Sequence, residues 1–491
     1  MQISRSQIPS EILQVTDKIE KAGFEAWLVG GCVRDLFLGR KPKDWDVTTN
    51  ATPADIQGLF ENTFYTNEYG TVGVVNDKTS DESLKVVETT PYRTEGNYSD
   101  ARRPDSVAFS PHIEDDLKRR DFTINALAFS PSKGQLIDLY DGIKDISDSL
   151  VRAVGEPGER FIEDALRILR AVRISAELHF SIEEGTERAM KESAQQLEKI
   201  SKERIREEFI RIVNSGQPMK ALVLSQKIGI LKFIVPELEQ GIGIDQNQAH
   251  SFDVYEHNLR AIQHAADKEW SFEVRLSALL HDIGKPAARR WSNEKKDWTF
   301  HGHEVVGAKM TRKILDNLKF SGETVVTIQK MVRWHMFFSD PDKVTLSAVR
   351  RTIRNVGREN IEKLIELRIC DRIGTGRPKE QPFRLRKYHS MIEQALHDPL
   401  SVAMLALDGK QLMEVTHEKP GPKIGWTLHA LLEEVLDDPT RNTQEYLSKK
   451  AAELLLLPDE ELQALGKEGK EKKEEKEEKN TKDIRKKYFV D

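Results

Sequence analysis

Residues 28–48 read LVGGCVRDLFLGRKPKDWDVT, and this stretch decides how the first part of the chain folds. An apolar run enters Gly30 and Gly31, a short helical pattern follows, and Gly39 stops it. The pattern predicts a strand, a tight turn and a short helix. Such a turn presents bare backbone N–H groups at a helix N-terminus, where a triphosphate binds. Arg34, one turn into the helix, adds a charge-assisted contact. Asp44 and Asp46 then alternate with Trp45 and Val47. In a strand alternate residues share a face, so both carboxylates point one way while the apolar pair points into the core. Two acids on one face repel each other, and a divalent cation is the common reason for tolerating them. Mg²⁺ held by one or two carboxylates plus substrate phosphates is the usual form in phosphoryl transfer.

Outward from this stretch, Glu88 closes a β-rich run, LKVVE, and brings a third carboxylate from a neighbouring strand. Arg119, Arg120 and Asp121 precede the apolar segment FTINALAF, so the basic groups face a triphosphate and Asp121 a ribose hydroxyl. The polar, turn-rich segment DARRPDSVAF, residues 100–109, reads as a loop beside a site. Ile8, Ile12, Val15 and Ile19 recur at helical spacing, with Ser10 as N-cap and Gly23 after the last turn. Short β-rich runs at 26–29, 72–75, 84–88 and 136–139 complete an α+β domain over residues 1–150.

With 491 residues, the chain is too long for one core, and about 100–200 residues per domain implies about three or four units. Hydrophobic residues make up 38%, charged ones 32% and aromatic ones 7%, a balance that suits a helix-rich protein. Beyond Phe161 strand signals almost vanish, and 161–178, 203–213 and Phe272–Leu280 read as helices. From 466 to 487 the chain is almost all Lys, Glu and Asp without apolar periodicity, so disorder or a solvated helix is expected over 466–491. No run reaches the roughly 20 apolar residues of a membrane span, and the N-terminus lacks the apolar centre of a signal peptide, which predicts a cytoplasmic protein. Cys32 and Cys370 stand alone and read as buried small apolar residues. The net charge of −6 does not announce a nucleic-acid binder, so local clusters must carry that argument.

A second series lies in the helical part: His257 on a helix, His281 and Asp282 in ALLHDIGKP, His301, His303, His335, then Asp371. Imidazole with carboxylate suits Mn, Ni, Co or Fe better than Ca.

The motifs GGCVRDLFLGRKPKDWD, DARRPDSVAF and RRDFTINALA closely resemble the head of tRNA CCA-adding enzymes and their bacterial poly(A) polymerase relatives, in the DNA polymerase β-like superfamily. The likeness runs through most of residues 20–240. It implies a polymerase β-like nucleotidyltransferase head, an all-α neck, and a helical tail that grips tRNA. By the resemblance Asp44 and Asp46 hold Mg²⁺; Glu88, read from its β-rich run, is the third candidate catalytic carboxylate. Gly30, Gly31, Arg34, Arg120 and Asp121 meet the nucleotide. The segment from Glu163 to Arg167 reads the incoming base in place of a template, with Asp164, Arg167, Arg170 and Arg173 as its nucleotide-binding side chains. A carboxylate accepting from an exocyclic amino group and a guanidinium donating to ring acceptors suit C and A. Arg204 and Glu207 on the next helix are candidate buttresses.

The order H…HD…D resembles the HD phosphohydrolase superfamily, in which His257, His281, Asp282 and Asp371 ligate one divalent metal; His303 and His335 are candidates for a second metal or a phosphate. The resulting organisation is head 1–150, neck 151–245, HD domain 246–380, tRNA-binding tail 381–465 with Lys410, Lys419 and Lys423 as phosphate contacts, and charged tail 466–491. The implied reaction is addition of CCA to tRNA from CTP and ATP, with pyrophosphate released and an accessory HD phosphodiesterase or phosphatase activity. The alternatives are an A-adding enzyme acting on tRNA that ends in CC, a poly(A) polymerase, and an HD hydrolase whose head only binds RNA.

Overall fold

A computed structural model describes residues 3–66, 69–96, 106–246, 251–337, 344–396 and 402–490. Most of the expected polar loop, 100–105, lies outside the described residues. In the head, β1 (Trp27–Val29), β2 (Asp46–Thr49), β3 (Thr63–Tyr65), β4 (Val72–Val75) and β5 (Val86–Pro91) join β8 (Leu127–Ser130) and β9 (Gln135–Asp138) in one sheet. A separate short ribbon pairs β6 (Arg93–Glu95) with β7 (Val107–Phe109). The seven-stranded order is β3-β4-β5-β2-β1-β8-β9, with β2 and β5 parallel and the other neighbours antiparallel.

Helices cover both faces, which is why β1 is buried along its whole length. Leu28, Val47 and Val87 face a core made with Ile12, Val15 and Ile19 of the opening helix Ser10–Lys21 and Val33 of the helix Gly31–Phe37. Trp27 and Val29 face the other way, against Ile113 and Leu117 of the helix Ile113–Lys118. Two local expectations change. Pro9, not Ser10, is the N-cap of the opening helix. The first half of LKVVE is helical, because the Asp81 side chain accepts from the Ser83 N–H and caps a turn at Glu82–Lys85.

The expected helix over 161–178 is two helices, Pro157–Glu163 and Leu166–Leu178. Asp164 causes the break. Its backbone is extended and its side chain accepts from the Leu166 N–H, an alternative to continuing the helix that short polar side chains offer. Neck helices then share one core with those that follow: Leu222, Leu231, Leu259, Leu276, Leu280 and Ile283 all belong to it. Arg275, buried, donates to the carbonyls of Val213 and Ser215.

Backbone packing divides the chain into two compact units, 1–335 with 366–377, and 336–365 with 378–491. In the second unit, of the two expectations for the end of the chain, disorder or a solvated helix, the structure has the helix, Asp459–Lys487. Apolar periodicity is absent because the helix packs through backbone. A Cβ on Gly466 would lie 2.7 Å from the Trp426 Cα, and one on Gly469 would strike the His429 carbonyl. Small residues thus let this helix lie directly on the helix Pro422–Asp437, where Lys472 bonds Glu433 at 3.1 Å and Asp437 at 2.8 Å.

Candidate active site and metal centre

The Gly-Gly turn is built for close approach. Gly30 sits at φ 83°, and a Cβ there would fall 2.9 Å from an Arg120 nitrogen and 3.5 Å from Asp46 Oδ2. The helix that follows has only seven residues, so the turn contributes its bare backbone more than a helix dipole. Asp46 opens β2 in register with Glu88 across the parallel pair, and Asp44 lies in the bend just before that strand, where its charge reaches both, so three carboxylates gather at one edge of the sheet. Desolvation pushes the Asp46 carboxyl up to about 6; Arg120 pulls it down, and Glu88, Asp44 and Asp116 push it further up. Partial desolvation and the charge of Asp44 also raise Glu88. Crowded carboxylates of this kind fit a divalent cation, the hard oxygen donors that Mg²⁺ takes.

Two residues not singled out in the sequence set the surrounding cations. Asp116, fully buried, holds Arg119 and Arg120, the latter at 3.0 Å, and so keeps Arg120 over the turn. Asn125 accepts from Arg34 at 2.7 Å and donates to Asp121 at 3.2 Å. Asp116 was legible in its i,i+3 and i,i+4 spacing to the two arginines; Asn125 was legible as the polar residue inside FTINALAF. Arg34 also binds Asp35.

Asp121 is 8% exposed, and its oxygens accept from Arg170 Nε at 2.8 Å, the Phe122 N–H and Asn125. Although burial raises it, Arg170 holds its carboxyl far below the usual range. It braces Arg170 from below and does not stand open to a ribose.

At the helix break, Asp164 Oδ2 accepts from Arg204 at 2.7 Å. Glu207 is exposed and lies 3.9 Å from Arg206 instead. Arg167 bonds Glu163 at 2.6 Å and the carbonyls of Arg160 and Arg119, tying the break to the head's arginine turn. Arg173 is 4% exposed between Glu208 and Glu177, so it braces the helix Lys202–Val213 and presents no surface to a nucleotide.

The histidine series converges. His257, His281, Asp282 and Asp371 form one buried group, and Asp282, His303 and His335 a second that shares Asp282. His257 Nε2 lies 3.1 Å from Asp282 Oδ2 and 2.9 Å from His281 Nε2, while His303 Nε2 lies 3.1 Å from Asp282 Oδ1. The Nδ1 atoms of His281, His303 and His335 bond the carbonyls of Ala278, Phe300 and Val332, which turns each Nε2 inward. Burial opposes charge on His281, yet Asp282 and Asp371 raise it to about 10, whereas burial and the His281 charge lower His335 to about 3. The carboxylates thus draw positive charge into the cluster, and a divalent ion meets that demand with neutral imidazoles. His301 is exposed and outside the group.

Three family models match parts of the chain. The family model "Poly A polymerase head domain" matches residues 26–152, "Probable RNA and SrmB- binding site of polymerase A" matches 179–242, and "HD domain" matches 254–375. A CCA-adding enzyme of Ligilactobacillus salivarius is 32% identical over 463 residues, 91% of this chain and 98% of that one. The chain belongs to the CCA-adding enzyme family. Another CCA-adding enzyme, of Leuconostoc mesenteroides, is 36% identical over 66% of the chain and 82% of its own length. A crystal structure of the Bacillus stearothermophilus CCA-adding enzyme in complex with CTP matches with a TM-score of 0.57 and 27% identity, covering 90% of this chain and 96% of that one. The fold is therefore a nucleotidyltransferase head with a helical remainder that includes an HD domain, and both domain types use divalent metal ions. Among the described residues no helix is long and apolar enough to cross a membrane.

Proposed function

We propose that this enzyme adds CMP, CMP and AMP from CTP and ATP to the 3′ end of tRNA, releasing pyrophosphate. The observation that carries the proposal is the register of Asp46 with Glu88 beside Gly30, which sets carboxylates against a backbone turn that only glycine fits. Asp44 and Asp46 would hold Mg²⁺, which would supply charge for the attacking 3′-oxygen and the leaving pyrophosphate. The RNA 3′-oxygen bonds to the α-phosphorus as the bond to pyrophosphate breaks. Arg120, fixed by Asp116, and Arg34, fixed by Asn125, orient the triphosphate over the turn. Asp164, preset by Arg204, and Arg167, once its buried guanidinium is drawn off Glu163, read the Watson–Crick edge of C or A. Arg170, partly exposed above Asp121, lies alongside them as a further base or phosphate contact.

In the second unit, Arg350, Arg351 and Arg354 are exposed along the helix Leu346–Val356 and suit tRNA phosphates better than Lys423, which is tied to Asp459 at 2.6 Å. We assign the enzyme to the cytoplasm. The intact buried donor set also favours an accessory metal-dependent phosphoesterase at the HD centre, with Mn, Ni, Co or Fe as its ion.

Two tRNAs, one lacking CCA and one ending in CC, incubated with Mg²⁺ and labelled CTP or ATP, test the main reading. Three additions to the first support it. Activity on the CC-ending tRNA alone would make this an A-adding enzyme, and silence on both would refute nucleotidyl transfer.

A further inference from the structure

Between Asp282 and His303 the chain forms a two-stranded antiparallel ribbon, Arg290–Ser292 with Asp297–Thr299. Trp291 stands opposite Trp298, their rings 5.3 Å apart and nearly perpendicular, and the Arg289 guanidinium lies 3.9 Å over the Trp298 ring. Trp291 is 53% exposed. Arg290, Lys295 and Lys296 are exposed on the same ribbon; its acids are Glu294 and Asp297, the latter accepting from the Trp298 N–H.

The foot of the ribbon is part of the metal centre's wall. Phe300 accepts from His303 Nδ1 at 2.7 Å, and its ring lies 5.8 Å from Lys285 Nζ, which in turn bonds Asp282 at 2.5 Å.

A large ring left in water beside several cations is the combination that binds single strands, with bases stacking on aromatic faces while the phosphates meet Lys and Arg. A duplex hides its base faces, and a free phosphate needs no ring. We propose that this ribbon grips single-stranded RNA beside the HD centre. Trp291 stacks one base, and Arg290, Lys295 and Lys296 hold the phosphates that lead away from it. The proposal rests on the buried histidines being a metal centre and is independent of the head's activity.

The test uses the full-length, metal-loaded protein and a single-stranded RNA of ten nucleotides, about one single-strand site in length, with 4-thiouridine near a 3′-phosphate. Photocrosslinks are mapped by mass spectrometry, and affinity is read by anisotropy. Crosslinks should fall on the ribbon. Stacking contributes about 1–3 kcal/mol per base, so Trp291→Ala should cut the ribbon crosslink about tenfold or more, and Trp291→Phe should restore it. Because Trp291→Ala removes the tryptophan pair as well, Arg290→Gln with Lys296→Gln is the second variant. It keeps the pair and should make the salt dependence shallower by about 0.7 for each phosphate that is no longer neutralised. None of these variants should alter CCA addition. An absence of ribbon crosslinks, or unchanged yield and salt slope in both variants, overturns the proposal, including the case where the ribbon proves to bind another protein. A wild-type chain that crosslinks on the ribbon yet fails to extend tRNA would refute the head reading alone.

Discussion

The two candidate metal sites of this chain pose opposite problems. In the head, Asp44 and Glu88 are exposed and Asp46 is only partly covered, so the site offers a few oxygens and leaves the remainder to the substrate's phosphates. In the HD centre, His257, His281, Asp282 and Asp371 are 8% exposed or less, and backbone carbonyls fix three imidazoles. An open carboxylate edge suits an ion that arrives with its triphosphate. A buried mixed-donor cage suits an ion that stays. Exposure and donor chemistry, more than donor number, separate a substrate-borne metal from a resident one.

The sharpest way to break this contrast is to empty each site in turn. Asp46→Ala should lower CCA addition at least about 10³-fold, as expected when charge stabilisation of a phosphoryl transition state is removed. The metal content of the purified protein, measured by elemental analysis, should not change. Retained extension activity would show that the ion is held elsewhere. The reciprocal change, His281→Ala, should weaken the resident metal more than the 10–100-fold typical of an outer-shell loss and lower the melting temperature, while extension stays within about twofold. Dialysis against a chelator sharpens the same distinction. Extension should return on adding Mg²⁺ alone, while the HD ion leaves slowly.

Smaller effects probe the supports. Arg204→Ala removes a charged hydrogen bond to Asp164 worth about 1.5–3 kcal/mol, so preference for CTP and ATP over UTP and GTP should fall roughly tenfold or more, read as kcat/KM ratios. A loss of rate without loss of selectivity would place Asp164 away from the base. Gly469→Ala should cost about 1–3 kcal/mol in the second unit by forcing the two tail helices apart, and should leave nucleotide selectivity alone.

Much of the head was readable because its signals are local. Gly30, Asp44 and Asp46 lie within one strand–turn–helix–strand stretch, and the alternation of polar and apolar residues there signals Trp45 and Val47 as core. The positions that misled are those decided at a distance. Arg173 reads as one more cation on a basic helix, yet Glu208 from a later helix buries it. Asp121 reads as an open acid until Arg170 closes over it. The helix Asp459–Lys487 has almost no apolar pattern because two glycines bring its backbone against a neighbour, and hydrophobic periodicity cannot register a contact made by backbone.

The sequence by itself determined the chemistry available here: two acids one residue apart, a turn of adjacent glycines, and a spaced series of histidines and aspartates. Residue type and short spacing suffice for these, because donor identity and strand alternation are local properties. Only the tertiary structure decided which charges meet. It set Glu88 beside Asp46, Arg204 on Asp164, and four distant donors around one buried point. Pairing across tens or hundreds of residues depends on how strands register and helices pack, and no local pattern encodes that.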